Sequence, residues 1–189
     1  SIVNKADQHD DLAFLQLDIK NAFNSVSRTA ILSEVHSNFS EIFNWAKFSY
    51  GDSSMLKFGD KQIHSSSGVQ QGDPLSPFLF ALALQPTIKQ LHENFPNLLA
   101  NTWYLDDGCL VGSISVLSNA FKLISEKLEQ IHLSISLQKC EIWSPNPSSC
   151  DFSDLPNGIT IKYDGLVMLG APLSTNSEFV SNFFCQKVN

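Results

Sequence analysis

Apolar runs punctuated by Gly, Pro, Asp and Ser divide this sequence into short strands and amphipathic helices. Residues 12–17 are apolar except at Gln16 and predict a first strand that ends at Asp18. After a turn through Ile19 and Asn24, Ser27 is placed to cap a helix from about Arg28, with Ile31, Leu32 and Val35 facing inward. A second helix is expected after Ser40, using Ile42, Phe43, Ala46 and Phe48. Residues 55–58 and 61–63 flank Gly59-Asp60 and predict a hairpin. Residues 68–77 form a rigid loop in which Ser76 caps, and Pro77 opens, a helix apolar on every face through Leu84 and kinked or ended at Pro86.

Further on, Ser115 is expected to cap a helix carrying Leu117, Ala120, Phe121, Ile124, Leu128 and Ile131 at helical spacing. Residues 137–143 predict an extended segment, and residues 144–157 a Pro- and Ser-rich loop. Residues 159–161 and 166–169 predict two short strands, the second running into Gly170-Ala171-Pro172. Thr175-Asn176-Ser177-Glu178 reads as a capping box for a last helix. The pattern contains no internal repeat.

The stretch that organises the rest is residues 103–112, Trp-Tyr-Leu-Asp-Asp-Gly-Cys-Leu-Val-Gly. An apolar run enters Asp106-Asp107 and another leaves it, which predicts two strands joined by a tight turn. Asp and Gly also suit an ordinary hairpin tip, so the pair alone has a purely structural reading. Asp18 changes the balance, because its strand is able to lie beside the hairpin. Three carboxylates converging at strand ends repel one another unless cations stand between them, which points to a magnesium site.

Composition narrows the picture. A chain of 189 residues suits one domain or one large subdomain. It begins at Ser1 without a secretory apolar segment, and its apolar run from Phe78 to Leu84 is too short to span a bilayer. Cys109, Cys140, Cys150 and Cys185 have no metal-binding spacing, so zinc is not expected and a reduced compartment is. The expected location is intracellular, in nucleus or cytoplasm, with no membrane partner. The net charge of −7 argues against a free-standing nucleic-acid binder.

Five segments, in order over nearly the whole chain, resemble the palm region of reverse transcriptases, most closely those of non-LTR retrotransposons. Residues 17–26 (Leu-Asp-Ile-Lys-Asn-Ala-Phe-Asn-Ser-Val) resemble the first catalytic motif and residues 71–77 the second. Residues 104–107 (Tyr-Leu-Asp-Asp) resemble the third, 137–141 the fourth and 169–173 the fifth. The resemblance implies an α/β (α+β) fold: a polymerase palm with a small antiparallel sheet and helices on one face. It would occupy residues 1–189, with a thumb helix starting near 175–189.

What the resemblance implies for chemistry is RNA-directed DNA polymerisation, with dNTPs, an RNA template and a DNA primer as partners. Asp18 and Asp106 would bridge two Mg2+ ions (Mn2+ being an alternative), with Asp107 as auxiliary ligand and the Ile19 carbonyl completing a shell. Lys139 matches the general acid for departing pyrophosphate. Phe23 matches the steric gate against a ribose 2′-hydroxyl, although one of 14 phenylalanines also suits a core position. Gln71 and Gly72 match the residues lining the nucleotide, and Leu169 and Gly170 the primer grip.

Four departures qualify the match. Gln70 replaces a usual basic residue, Asn24 a frequent Asp, and Leu105 a smaller residue before the aspartate pair. The basic finger motifs expected before Asp18 and a full thumb after Glu178 are absent, so the chain is expected to be a fragment. A polymerase-like remnant or scaffold without catalysis is therefore the rival reading. A palm-type nucleotidyl cyclase is the other, disfavoured by Gln71-Gly72-Asp73-Pro74, which belongs with a template-primer enzyme. Oligomeric state is not readable from the sequence.

Overall fold

A computed structural model describes residues 10–187. Within them the chain forms two units, one built from residues 10–18, 91–123 and 135–187, the other from residues 19–90 and 124–134.

The first unit is built on a five-stranded sheet. Its strands are β1 (Leu12–Asp18), β4 (Ala100–Tyr104), β5 (Asp107–Ser113), β6 (Glu141–Trp143) and β7 (Thr160–Lys162), in the order β4-β5-β1-β6-β7. All neighbours are antiparallel except β6 and β7, which run parallel. The nearly continuous apolar sequence of β1 follows from its place near the centre, where both faces are closed. On one face, Leu12, Phe14, Cys109, Val111 and Trp143 form a buried cluster with Leu166. Leu166 belongs to the small hairpin β8 (Leu166–Met168) and β9 (Ala171–Leu173), so that hairpin covers part of this face. On the other face Ala13, Leu15, Leu17, Leu110 and Ile142 have no exposed surface at all.

The second unit holds α1 (Ala22–Ser25), α2 (Arg28–Asn38), α3 (Ser40–Tyr50) and the hairpin β2 (Ser54–Phe58) and β3 (Lys61–Ser65). Helices α4 (Ser76–Asn94) and α5 (Ile114–Gln130) have residues in both units, and α6 (Ser177–Lys187) belongs to the first. Ser27 caps α2 as its sequence predicts, its hydroxyl accepting from the Ala30 amide. Leu117, Ala120, Phe121, Ile124 and Leu128 form the buried stripe of α5. Among the described residues no helix is long and apolar enough to cross a membrane.

Several local expectations are corrected. Phe48 is 90% exposed, because the inner stripe of α3 runs through Ala46 and Tyr50 and a residue two positions away points round the helix. Ser76 opens α4 rather than capping it, since its hydroxyl donates to the Gln70 carbonyl at 2.5 Å. Helix α4 is also not buried all round: Phe78 and Ala81 are exposed while Leu79, Phe80, Ala83 and Leu84 are buried. Pro86 does not end it, and α4 continues eight residues to Asn94 with Leu91 fully buried. Ser115 lies inside α5, which begins one residue earlier. Residues 137–139 wind into a 3-10 turn before β6, and Asn176 caps α6, its Oδ1 accepting from the Glu178 and Phe179 amides.

Candidate active site

Register places the acidic residues. Asp18, the last residue of β1, stands directly opposite Asp107, the first residue of β5, so the two side chains share one face of the sheet. Tyr104 pairs with Asp107 across the central hairpin, leaving Leu105 and Asp106 as its two-residue turn. Leu105 has φ of 57°, a left-handed conformation that Leu adopts at a cost of about 1 kcal/mol or more. Gly108 follows because the Trp103 ring lies against the backbone there: a Cβ would meet the ring at 2.5 Å. The turn is thus held by one strained residue and one close aromatic contact, and it presents Asp106 beside Asp107.

Asp107 senses its neighbours. Burial pushes the Asp107 carboxyl above its ordinary range, the charges of Asp106 and then Asp18 push it further, and Lys139 pulls it back. Asp18 Oδ1 is shut off from solvent and has no hydrogen-bond donor. Its nearest cation is Lys139 Nζ at 3.5 Å, an ion-pair distance too long for a hydrogen bond. The chain delivers Lys139 by a short relay. The Ser136 amide donates to the Asp18 carbonyl at 2.8 Å, and the Ser136 carbonyl accepts from the Lys139 amide at 2.9 Å. Among the described residues no three His, Cys, Asp or Glu side chains are gathered closely enough to hold a metal ion between them. Asp18 and Asp107 face each other at the ends of adjacent strands, and Asp106 precedes Asp107 in the turn.

A cavity of about 230 Å³ adjoins this edge, lined by Gln16, Trp103, Tyr104, Asp107, Met168 and Leu169. Leu169 and Gly170 form the β8–β9 turn, with φ of 48° and 77°, and Leu169 is exposed. The first unit therefore brings together Asp18, Asp106, Asp107, Lys139 and the turn at Leu169 and Gly170. Gln16 was not among the residues singled out from sequence. Its signal was there, as the lone polar side chain in an apolar strand, and its Oε1 is buried without a partner.

The remaining candidates lie in the second unit. Ile19 follows Asp18 in the chain and is buried. The half-buried Phe23 ring stacks on Phe80, with centroids 4.9 Å apart and planes 13° apart. That contact gives Phe23 a packing role, and the residue stays partly exposed. Gln71 and Gly72 are exposed at the apex of the loop before α4.

Known folds of this kind are found in telomerase. The chain superposes on apo telomerase from Candida tropicalis with a TM-score of 0.64 at 14% identity, covering 92% of this chain and 33% of that one. Telomerase from Candida albicans, in complex with a fragment of telomeric RNA, gives 0.62 at 14% identity over 93% of this chain and 33% of that one. At this identity the likeness establishes the fold. Sequence establishes the family: the chain belongs to the reverse transcriptase (RNA-dependent DNA polymerase) family, whose profile it matches over residues 2–173.

Its relatives include the 132 kDa protein of the SLACS retrotransposable element of Trypanosoma brucei gambiense. That protein is 31% identical over 133 residues, which are 67% of this chain and 11% of the relative. The Pol polyprotein of a type-1 retrotransposable element R2 from Nasonia vitripennis is 30% identical over 126 residues, 64% of this chain and 12% of the relative. The chain thus spans about a tenth of the length of these relatives.

Proposed function

We propose that this chain is the palm of an RNA-directed DNA polymerase that extends a DNA primer on an RNA template inside the cell, as part of a retroelement. The observation that carries the reading is the opposition of Asp18 and Asp107 at adjacent strand ends, with Asp106 in the turn between β4 and β5. A buried carboxylate oxygen on Asp18 that accepts no hydrogen bond and meets only Lys139 at ion-pair distance, beside two further carboxylates, is a donor set that suits a hard cation. Asp18, Asp106, Asp107 and the Ile19 carbonyl would hold two magnesium ions, with manganese as a substitute. When bound, such ions make the primer 3′-hydroxyl a better nucleophile and neutralise charge on the triphosphate.

The protein's own residues then have defined tasks. A bond forms between the primer 3′-oxygen and the α-phosphorus as the hydroxyl proton passes to solvent water, and the bond to the β-bridging oxygen breaks. Lys139 supplies the proton that the departing pyrophosphate needs; its exposed ammonium, tied to Asp18 only at 3.5 Å, is free to turn toward it. Gln71 offers an amide that both donates and accepts, and Gly72 lets the nucleotide approach the backbone. The Phe23 ring excludes a 2′-hydroxyl by volume, and the Leu169–Gly170 turn supports the primer end. The test is RNA-templated primer extension by the complete polymerase that contains this chain, parent against Asp106→Asn. Loss of ion-held charge stabilisation predicts a drop of about a thousandfold in rate at unchanged template-primer affinity. Equal extension by the two proteins would overturn the reading.

A further inference from the structure

The loop that carries Gln71 and Gly72 is fastened on both sides of those two residues and not at them. On the near side the Gly68 amide donates to the Val26 carbonyl at 2.8 Å and the Val69 amide to the Phe23 carbonyl at 2.7 Å. The fit at Gly68 admits no side chain: its φ is 71° and a Cβ would lie 2.4 Å from the Asn24 backbone. On the far side the Asp73 amide donates to the Gln70 carbonyl at 3.2 Å and the Ser76 amide to the Asp73 carbonyl at 3.0 Å. Gln71 and Gly72 themselves are exposed, and a Cβ on Gly72 would meet nothing within 4 Å.

Two buried side chains set these fastenings. Arg28 is only 7% exposed, yet among the described residues no carboxylate lies within ion-pairing distance. Its guanidinium serves neutral acceptors instead: Nε donates to the Gly68 carbonyl at 3.0 Å, Nη1 to the Ser65 carbonyl at 2.9 Å and Nη2 to the Ser65 hydroxyl at 2.9 Å. Nη1 also reaches the Asp52 carbonyl at 3.3 Å. The same guanidinium lies 5.6 Å from the centre of the Tyr50 ring. Tyr50 is 1% exposed, and its hydroxyl donates to Asp73 Oδ2 while facing the Gln70 amide at 3.4 Å. Ser76 completes the clamp by donating to the Gln70 carbonyl.

A buried cation without a counter-ion is a poor device for stability, because an apolar side chain of similar size avoids its desolvation cost. What it supplies is direction, since a planar fork with fixed donors accepts one arrangement of the segments around it. We propose that Arg28 and Tyr50 are positioning residues that hold residues 68–70 and 73 in place so that Gln71 and Gly72 meet an incoming nucleotide in one fixed pose. This rests on the reading of Gln71 and Gly72 as nucleotide contacts given above. Neither side chain touches the nucleotide in this account; both act through the loop.

The test uses Tyr50→Phe, which removes one oxygen and keeps the ring, and Arg28→Met, which keeps most of the buried volume, in the complete polymerase. Hydrogen exchange reads the loop directly. Amides of Gly68, Val69, Gln70 and Asp73 are expected to exchange about tenfold faster in either variant, while β1 and β5 keep their protection. Equilibrium binding of a dNTP with magnesium to a chain-terminated template-primer complex reads the consequence. Its Kd is expected to rise about tenfold in Tyr50→Phe, with the template-primer Kd unchanged.

Unchanged loop exchange in Tyr50→Phe would overturn the positioning role, and so would exchange that rises equally throughout the protein. If Arg28→Met fails to fold, Tyr50→Phe decides alone. Faster loop exchange with an unchanged dNTP Kd, or a parent that binds no dNTP, would overturn the nucleotide reading on which the proposal rests. The exchange data would in that case have shown separately that the two residues hold the loop.

Discussion

Asp107 is the residue whose environment states its cost most openly. Its carboxyl is pushed up from the ordinary 3.8 by burial and by its two acidic neighbours. A carboxyl held above its unfolded value binds a proton more tightly in the folded protein. It therefore lends stability that is complete below about 3.8 and is lost as pH rises through the raised folded value. Asp107→Asn removes that pH-dependent loss. The variant is expected to match the parent in melting temperature below 3.8 and to exceed it at neutral pH, with the gap opening between. Because Asp107 is exposed, water screens the effect, and the gain is expected to stay near 2 °C or less. Melting curves of both proteins across the acidic range check it; a variant less stable than the parent at neutral pH would show that the charge on Asp107 helps the apo fold.

At the scale of elements, the central hairpin concentrates strain where chemistry is proposed. Only the first of its two turn residues, Leu105, has positive φ, a place where hairpins favour glycine. Leu105→Gly is expected to raise stability by about 0.5 kcal/mol in denaturant unfolding, relief of strain outweighing glycine's entropy and the lost contacts of a half-buried side chain. A loss of stability instead would mean that packing of the Leu105 side chain outweighs its strain. This hairpin and β1 were legible in the sequence because alternating and continuous apolar runs ended at acidic turn residues. Helix α1 was not, since one turn of four residues carries no periodicity. Nor was the 3-10 turn at Leu137–Lys139, whose shape comes from the Ser136 hydrogen bonds to Asp18, Lys139 and Cys140 rather than from its own residues. Arg28 and Tyr50 were hidden for the same reason: their partners lie 20 to 40 positions away and are mostly backbone atoms, which sequence does not mark.

At the scale of the molecule, the catalytic candidates in the first unit are gathered by strand register, whereas the nucleotide candidates depend on a loop in the second. The acidic balance of the chain, −7, sets a second constraint. The Asp107 carboxylate carries a cost in the apo fold from burial and from Asp106 and Asp18, offset in part by Lys139, and a cation that binds only the folded protein stabilises it by mass action. The most direct test of the metal-dependent centre is thermal unfolding of the parent, Asp18→Asn and Asp107→Asn, with and without magnesium at fixed ionic strength. The parent is expected to gain about 3 °C or more once magnesium exceeds its Kd tenfold, and each variant less than about half of that. Equal magnesium responses in all three proteins would contradict a shared site at Asp18, Asp106 and Asp107.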